Sequence, residues 1–132
     1  NRTDFEKLVS KQFGVDPENP WLENPSHRVF RHSRNNKWFA LLMDVQKAKL
    51  GLGGEGSIDV VNLKCDPDLI QILRQQEGFF PAYHMNKSHW ITVALDRVDD
   101  ETIASLLAQS YALTETRSRK LTCAAGKETS SI

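Results

Sequence analysis

Cysteine is scarce in this chain: Cys65 and Cys123 are the only two among 132 residues. Two thiols cannot build the disulfide framework on which small secreted domains depend, so both are expected to be reduced and the protein to be cytoplasmic. Long apolar runs are lacking as well. None approaches the roughly 18 to 20 residues that a membrane helix needs, and no signal-peptide pattern opens the chain, so no membrane association is expected. The first residue is Asn1 rather than Met, from which a trimmed or processed start with sequence upstream is expected. Net charge is missing too, because 17 Lys and Arg balance 17 Asp and Glu. That balance argues against a protein whose whole surface grips nucleic acid. No repeat of solenoid period is present.

Metal-ligating pairs are also wanting. The four histidines, His27, His32, His84 and His89, have only Cys65 as a nearby thiol, and no pair stands at i, i+4 on a helix. Neither a structural metal nor a cofactor is expected. Gly51-Leu52-Gly53-Gly54-Glu55-Gly56 matches G-x-G-x-x-G, but its glycines precede a strand instead of a helix. The helix dipole that would face a pyrophosphate is therefore absent, and a mobile linker is the better account.

What the chain does have is enough apolar material for one core, with 39% hydrophobic and 26% charged residues. One domain over residues 1–117 is expected, followed by an aperiodic tail over 118–132. Thr3-Asp4-Phe5-Glu6 has the form of a capping box, after which Phe5, Leu8, Val9 and Phe13 share one helical face and Gly14 stands where the helix should end. Residues 15–26 hold Pro17, Pro20 and Pro25 and predict an irregular connector packed by Trp21 and Leu22. Arg28–His32 and Lys37–Val45 flank a turn at Ser33–Asn36, which predicts an antiparallel hairpin with a basic tip. A helical turn over 46–50 and the glycine loop lead to a strand over Ser57–Lys64. Its apolar positions change phase between Val60 and Val61, which suggests a bulge or a strand covered on both faces.

Asp66-Pro67 is the clearest helix start, with an N-cap aspartate and a proline at the first helical position. Leu69, Ile72 and Leu73 are its expected buried stripe and Gly78 its end. Phe79–Tyr83 and Trp90–Leu95 then predict strands. Asp99 caps a last helix with Ile103, Leu106, Leu107, Ser110 and Tyr111 on one face. The expected fold is α+β, a two-layer arrangement of a five-stranded mostly antiparallel sheet with helices on one face, in the order αβββαββα.

Charge is unevenly spread within the neutral total. Residues 26–49 carry a net charge of +5, whereas residues 1–25 carry −2, 50–112 carry −5 and 113–132 carry +2. The basic stretch holds Arg31, Arg34 and Lys37, and is consistent either with a solvated hairpin or with a local phosphate-facing patch. The densest segment is Phe79–Trp90. Phe79, Phe80 and Trp90 suit a core, whereas His84–His89 suit a tip whose Asn86, Lys87 and Ser88 offer donors for phosphate or base edges, with Lys87 on phosphate and Asn86 and His89 as polar contacts, and Tyr83 or His84 can stack on a base. Cys65, between Lys64 and a helix N-cap, is open to two accounts. One is a reactive thiol paired with His84 or His89; the other, favoured for unpaired cysteines, is a small buried residue at a strand end.

Asn62-Leu63-Lys64-Cys65-Asp66-Pro67 and Tyr83-His84-Met85-Asn86-Lys87-Ser88-His89-Trp90 closely resemble the paired signatures NLKCDP and YHMNKxHW of the MmcQ/YjbR family. The resemblance extends over about residues 3 to 115, through Pro20-Trp21, Lys37-Trp38-Phe39-Ala40 and Ser110-Tyr111. It implies a small bacterial α+β domain related to secretion-chaperone-like and frataxin-like folds, with a double-wing motif held to bind DNA. The glycine-rich Gly51–Gly56 and the basic Arg117, Arg119 and Lys120 are less familiar in it. Carried onto this chain, one wing is the hairpin around Arg31, Arg34 and Lys37, and the other is the tip His84–His89 anchored by Trp90. A non-enzymatic DNA-binding module of modest affinity follows, with four phosphate contacts giving a salt slope of roughly −3.6. The alternatives are a protein-interaction adaptor, monomeric or weakly dimeric, and a small-ligand or catalytic domain using Lys64, Cys65, His84 and His89.

Overall fold

The computed structural model describes residues 2–20, 23 and 26–115. Helix α1 (Arg2–Phe13) is followed by β1 (Arg28–Arg31), β2 (Trp38–Gln46), a 3₁₀ turn (Lys47–Leu50), β3 (Ser57–Lys64), α2 (Pro67–Leu73), β4 (Phe79–Pro81), β5 (Trp90–Ala94) and α3 (Asp100–Thr114). The five strands form one antiparallel sheet in the spatial order β1-β2-β3-β5-β4. This is the α+β architecture that the alternating apolar periods predict.

All three helices bury their apolar stripes against one face of that sheet. Phe5 and Val9 of α1, Ile70 and Leu73 of α2, and Ile103, Leu106 and Leu107 of α3 share a core with Phe30, Leu42, Val61, Leu63, Ile91 and Val93. Each such aliphatic or aromatic side chain contributes about 1.5–3 kcal/mol on leaving water. The opposite face is apolar as well: Val29, Leu41, Met43, Val45, Val60 and Ala94 form a second buried cluster. Val60 and Val61 are both fully buried, one on each face. The phase change in β3 therefore reflects a central strand covered on both sides, and its pairing with β2 and β5 runs without a break.

The irregularity lies elsewhere. Phe30 pairs with Ala40 but Arg31 pairs with Trp38, so Phe39 is an extra residue on β2. A bulge turns successive side chains toward the same side, and both Phe39 and Ala40 join the helical-face core.

Several local expectations are corrected. The helix α1 already includes Arg2 and Thr3, so Thr3 is a helical residue and not an N-cap. The stripe of α2 is Leu69, Ile70 and Leu73, whereas Ile72 is 58% exposed. That short helix ends at Leu73, capped by Arg74, well before Gly78. Gly78 is required for a different reason. Its φ of +93° is left-handed, and a Cβ there would lie 2.6 Å from Cγ2 of Val98. Gly14 (φ +64°) does close α1, donating its N–H to the Ser10 carbonyl at 2.9 Å. Asp66 and Asp99 both act as N-caps, accepting from the backbone N–H groups of Asp68 and Thr102. Trp21, Leu22 and the tail over 118–132 lie outside the described residues.

Candidate functional site

Register fixes where the two loops of interest lie. Leu63 sits opposite Ala40 on one side and Ile91 on the other, and Lys64 sits opposite Trp90. The β1–β2 turn and the β4–β5 connection therefore leave the same end of the sheet, one on either side of the end of β3.

The first turn is docked rather than free. His32 Nε2 lies 2.8 Å from Thr114 Oγ1 at the end of α3, and Asn35 Nδ2 donates to the Thr114 carbonyl at 3.1 Å. The Thr114 hydroxyl donates to the Ser110 carbonyl at 2.7 Å, so it accepts from His32, which fixes the Nε2–H tautomer. Asn35 Oδ1 accepts the Lys37 N–H at 2.7 Å, and Asn36 adopts a left-handed φ of 62°. Arg34 and Lys37 are exposed on this fixed turn. Arg31 is not comparable, because Glu18 holds it through two hydrogen bonds of 2.6 and 3.1 Å.

The second loop does not project as a finger. Tyr83 and Met85 pack onto the sheet face away from the helices, with Trp38, Leu50, Ile58 and Phe80 around the same apolar cluster. A buried polar pair holds it there. Asn62 on β3 and Thr92 on β5 face each other in register. Asn62 Nδ2 donates to the Tyr83 carbonyl at 2.9 Å, the Tyr83 N–H donates to Thr92 Oγ1 at 2.9 Å, and the Thr92 hydroxyl donates to Asn62 Oδ1. Both backbone groups of Tyr83 are thus satisfied by a closed network in which Asn62 and Thr92 are fully buried. Further on, Asn86 Oδ1 accepts the N–H groups of Ser88 and His89 at 2.8 and 3.2 Å, which makes Asn86 the organiser of its own turn. The His89 carbonyl accepts the Cys65 N–H at 2.9 Å. The two sequence signatures are the two halves of one hydrogen-bonded junction.

Where this loop crosses the sheet it forms the wall of an open groove of about 430 Å³, with Lys49 and Leu50 of the 3₁₀ turn facing Phe80, Tyr83, His84 and Lys87. His84 has a left-handed φ of 63°, and its ring centroid is 3.9 Å from that of Tyr83. No carboxylate is among the described residues lining this groove. The signal in the sequence was the aromatic and cationic density of residues 79–90; Lys49, a distant partner across the sheet, carried none.

The electrostatics separate the candidates. Burial pushes the Cys65 thiol up, against a smaller lowering by the Asp66 backbone, and its side chain lies in the helical-face core. Cys65 is therefore the small buried residue and not an activated nucleophile. His84 and Lys87 line the groove, but Lys64, Cys65 and His89 are not among its described walls, so the foursome of Lys64, Cys65, His84 and His89 does not converge on this groove. No group of three or more His, Cys, Asp and Glu suited to a metal occurs among the described residues.

Burial also lowers the His32 pKa, outweighing the opposing pull of Glu115. A histidine kept neutral in the fold binds fewer protons than in the unfolded chain, where its pKa is about 6.5. Its stabilising effect is complete above that value and is lost as pH falls through 6.5 toward the folded-state pKa. We expect the urea midpoint to drop between pH 7.5 and 5.5, and the His32 Cε1–H resonance to titrate below the usual range. His27 is lowered by burial too, with Asp44 opposing, so the resonance assignment separates the two. The capping carboxyl of Asp99 is depressed by its Thr102 hydrogen bonds and acts in a different window, its effect fading only as pH falls below its ordinary 3.8.

The sheet edges bear on partner recognition. β1 is bridged by Glu18, which exchanges two 2.9 Å backbone hydrogen bonds with Val29, and β4 has only three residues ending in Pro81. Short, proline-bearing or covered edges offer little to a pairing strand. Among the described residues no helix is long and apolar enough to cross a membrane.

A three-helix layer on one face of a five-stranded antiparallel sheet, with a polar clamp holding a loop over the other face, defines a compact α+β class. A family profile described as YjbR matches residues 11–113, and the chain belongs to the YjbR family. It is 44% identical over 115 residues to the uncharacterized protein YyaQ of Bacillus subtilis, covering 86% of this chain and 98% of that one. It is 37% identical over 82 residues to the uncharacterized protein YjbR of Escherichia coli K12, covering 60% and 70% of the two chains. A crystal structure of a Pseudomonas syringae protein matches with a TM-score of 0.85 at 45% identity, over 87% of this chain and 99% of that one. A Deinococcus radiodurans protein matches with a TM-score of 0.65 at 26% identity, over 86% and 77%.

Proposed function

We propose that the protein is a non-enzymatic nucleic-acid-binding module of modest affinity, which meets phosphates with Arg34, Lys37 and Lys87 at one end of the sheet. The observation that carries this reading is that two loops with exposed cations leave the same sheet end, each held by hydrogen bonds to a buried side chain, Thr114 for the first and Asn62 for the second. Fixed cations recognise phosphate at lower ordering cost than mobile ones. Arg31 is withheld by Glu18, so the expected number of phosphate contacts falls from four to three. His89 is exposed beside the same loop and is available for a polar contact, whereas Asn86 spends its amide oxygen on its own turn.

Three contacts give a salt slope of about −2.7 for duplex DNA, because each neutralised phosphate contributes roughly −0.9. Fluorescence anisotropy with a random duplex across a salt series measures that slope directly. Arg34→Ser with Lys37→Ser is expected to bring it to about −0.9. Glu18→Gln supplies a gain-of-function arm: releasing Arg31 from an exposed ion pair should strengthen binding and move the slope toward about −3.6. Absence of binding at low salt, or a slope indifferent to these substitutions, defeats the proposal.

A further inference from the structure

We infer that the groove between the 3₁₀ turn and the 82–89 loop is a binding site for a single nucleotide unit, a planar base with a phosphate attached. Lys49 and Lys87 come from two elements far apart in sequence and meet across a floor of Leu50, Phe80 and Tyr83. No described wall residue carries a negative charge, so the preferred occupant is an anion. The floor favours one with an apolar, planar body, since an aromatic side chain stacks on a base regardless of its identity. A volume near 430 Å³ is in the range of small-molecule sites.

The site is also built to keep its shape. Tyr83 is held at both its N–H and its carbonyl by the Asn62–Thr92 network, and this is what presents the ring beside the strand. His84 occupies a left-handed backbone conformation that leaves its imidazole against the Tyr83 ring, at an interplanar angle of 52°. A non-glycine residue held in that region marks a place where the surroundings fix the backbone. In contrast, the basic turn at Arg34 and Lys37 belongs to the other hairpin and does not line this groove. The unit can come from a free nucleotide or from an unpaired stretch of nucleic acid. Only the second source rests on the function proposed above.

The test is amide-shift mapping by NMR on the full chain, with thymidine monophosphate, thymidine, and a four-residue oligo-dT as probes. Saturable shifts centred on residues 49–50 and 80–87 are expected with the monophosphate or the oligonucleotide, and which of the two binds identifies the source. Thymidine, lacking the phosphate, should bind at least roughly tenfold more weakly than the monophosphate if the free nucleotide is the source. Lys49→Glu, an exposed substitution, should weaken whichever probe binds by roughly tenfold or more, while Lys7→Ser, at an exposed lysine of α1 on the other side of the sheet, should leave binding unchanged. Shifts absent with both phosphate-bearing probes, or insensitive to Lys49→Glu, overturn the inference. Duplex binding that survives Lys49→Glu but fails in the Arg34/Lys37 variant would uphold the proposed function on its own.

Discussion

Phe39→Ala is expected to lower the free energy of unfolding by about 3–5 kcal/mol, measured by urea denaturation followed by circular dichroism. The ring is fully buried at the point where hairpin, α1 and α3 meet. It stands edge-on to Phe13 at 5.9 Å and to Tyr111 at 4.9 Å, with Phe30 at 6.3 Å and His32 at 5.1 Å. Its carbonyl accepts the Ser110 hydroxyl, and Ser110 Oγ in turn accepts the Lys64 N–H at 2.8 Å. Truncation removes the ring but keeps the bulge and those hydrogen bonds, so a cavity is left in a layer that cannot collapse easily. Against a total stability of about 5–15 kcal/mol, that loss is a large share. A cost under about 1 kcal/mol would mean that the extra residue on β2 is not what fills this junction.

Phe39 also illustrates which parts of the fold the sequence carries on its face. The apolar run from Trp38 to Val45 announces a buried strand, and its flanking turn residues announce a hairpin. The bulge was not legible there, because it arises from pairing: only the match of Arg31 with Trp38 makes Phe39 the extra residue. The phase change at Val60 and Val61 imitates a bulge but comes from apolar cover on two faces. Caps were readable where proline and aspartate coincide, as at Asp66-Pro67. They were not where the local pattern competes with helix already formed, as at Thr3. In α2, Ile72 and Ile70 are both apolar; a helix of seven residues leaves too little periodicity to decide which faces the core.

The candidate site was legible in composition and obscure in geometry. Tyr83, His84 and Lys87 were identifiable as a dense aromatic and cationic group, and Arg34 and Lys37 as a basic tip. That Glu18 occupies Arg31, that Lys49 reaches the same groove as Lys87, and that the second loop lies along the sheet instead of standing off it are all long-range consequences of packing. Cys65 and Asn86 drew attention as chemistry. The fold uses the first as core and the amide oxygen of the second as a turn acceptor. The residue with the greatest leverage, Asn62, left one clue, a polar side chain set between the apolar Val61 and Leu63. Such a residue must find a partner when buried, but its partners lie 30 and 21 residues away.

Asn62→Ala should therefore cost roughly 2–4 kcal/mol and, in addition, free the loop that it holds. The substitution leaves the part-buried Tyr83 carbonyl without its donor and the fully buried Thr92 hydroxyl without its acceptor. Thr92→Val removes the acceptor of the Tyr83 N–H and the donor to Asn62, with a loss of similar size. Because the three groups form one closed network, the double variant should lose clearly less than the two single losses added together. Hydrogen exchange gives the local readout. Amide protection of Tyr83 should fall in either variant, while that of Leu63 and Val93, whose side chains face the helices, should fall only in step with global stability. Strictly additive losses, or undiminished protection at Tyr83, would show that the loop is held by the apolar packing of Tyr83 and Met85 alone. The buried polar pair would then have no share in shaping the groove.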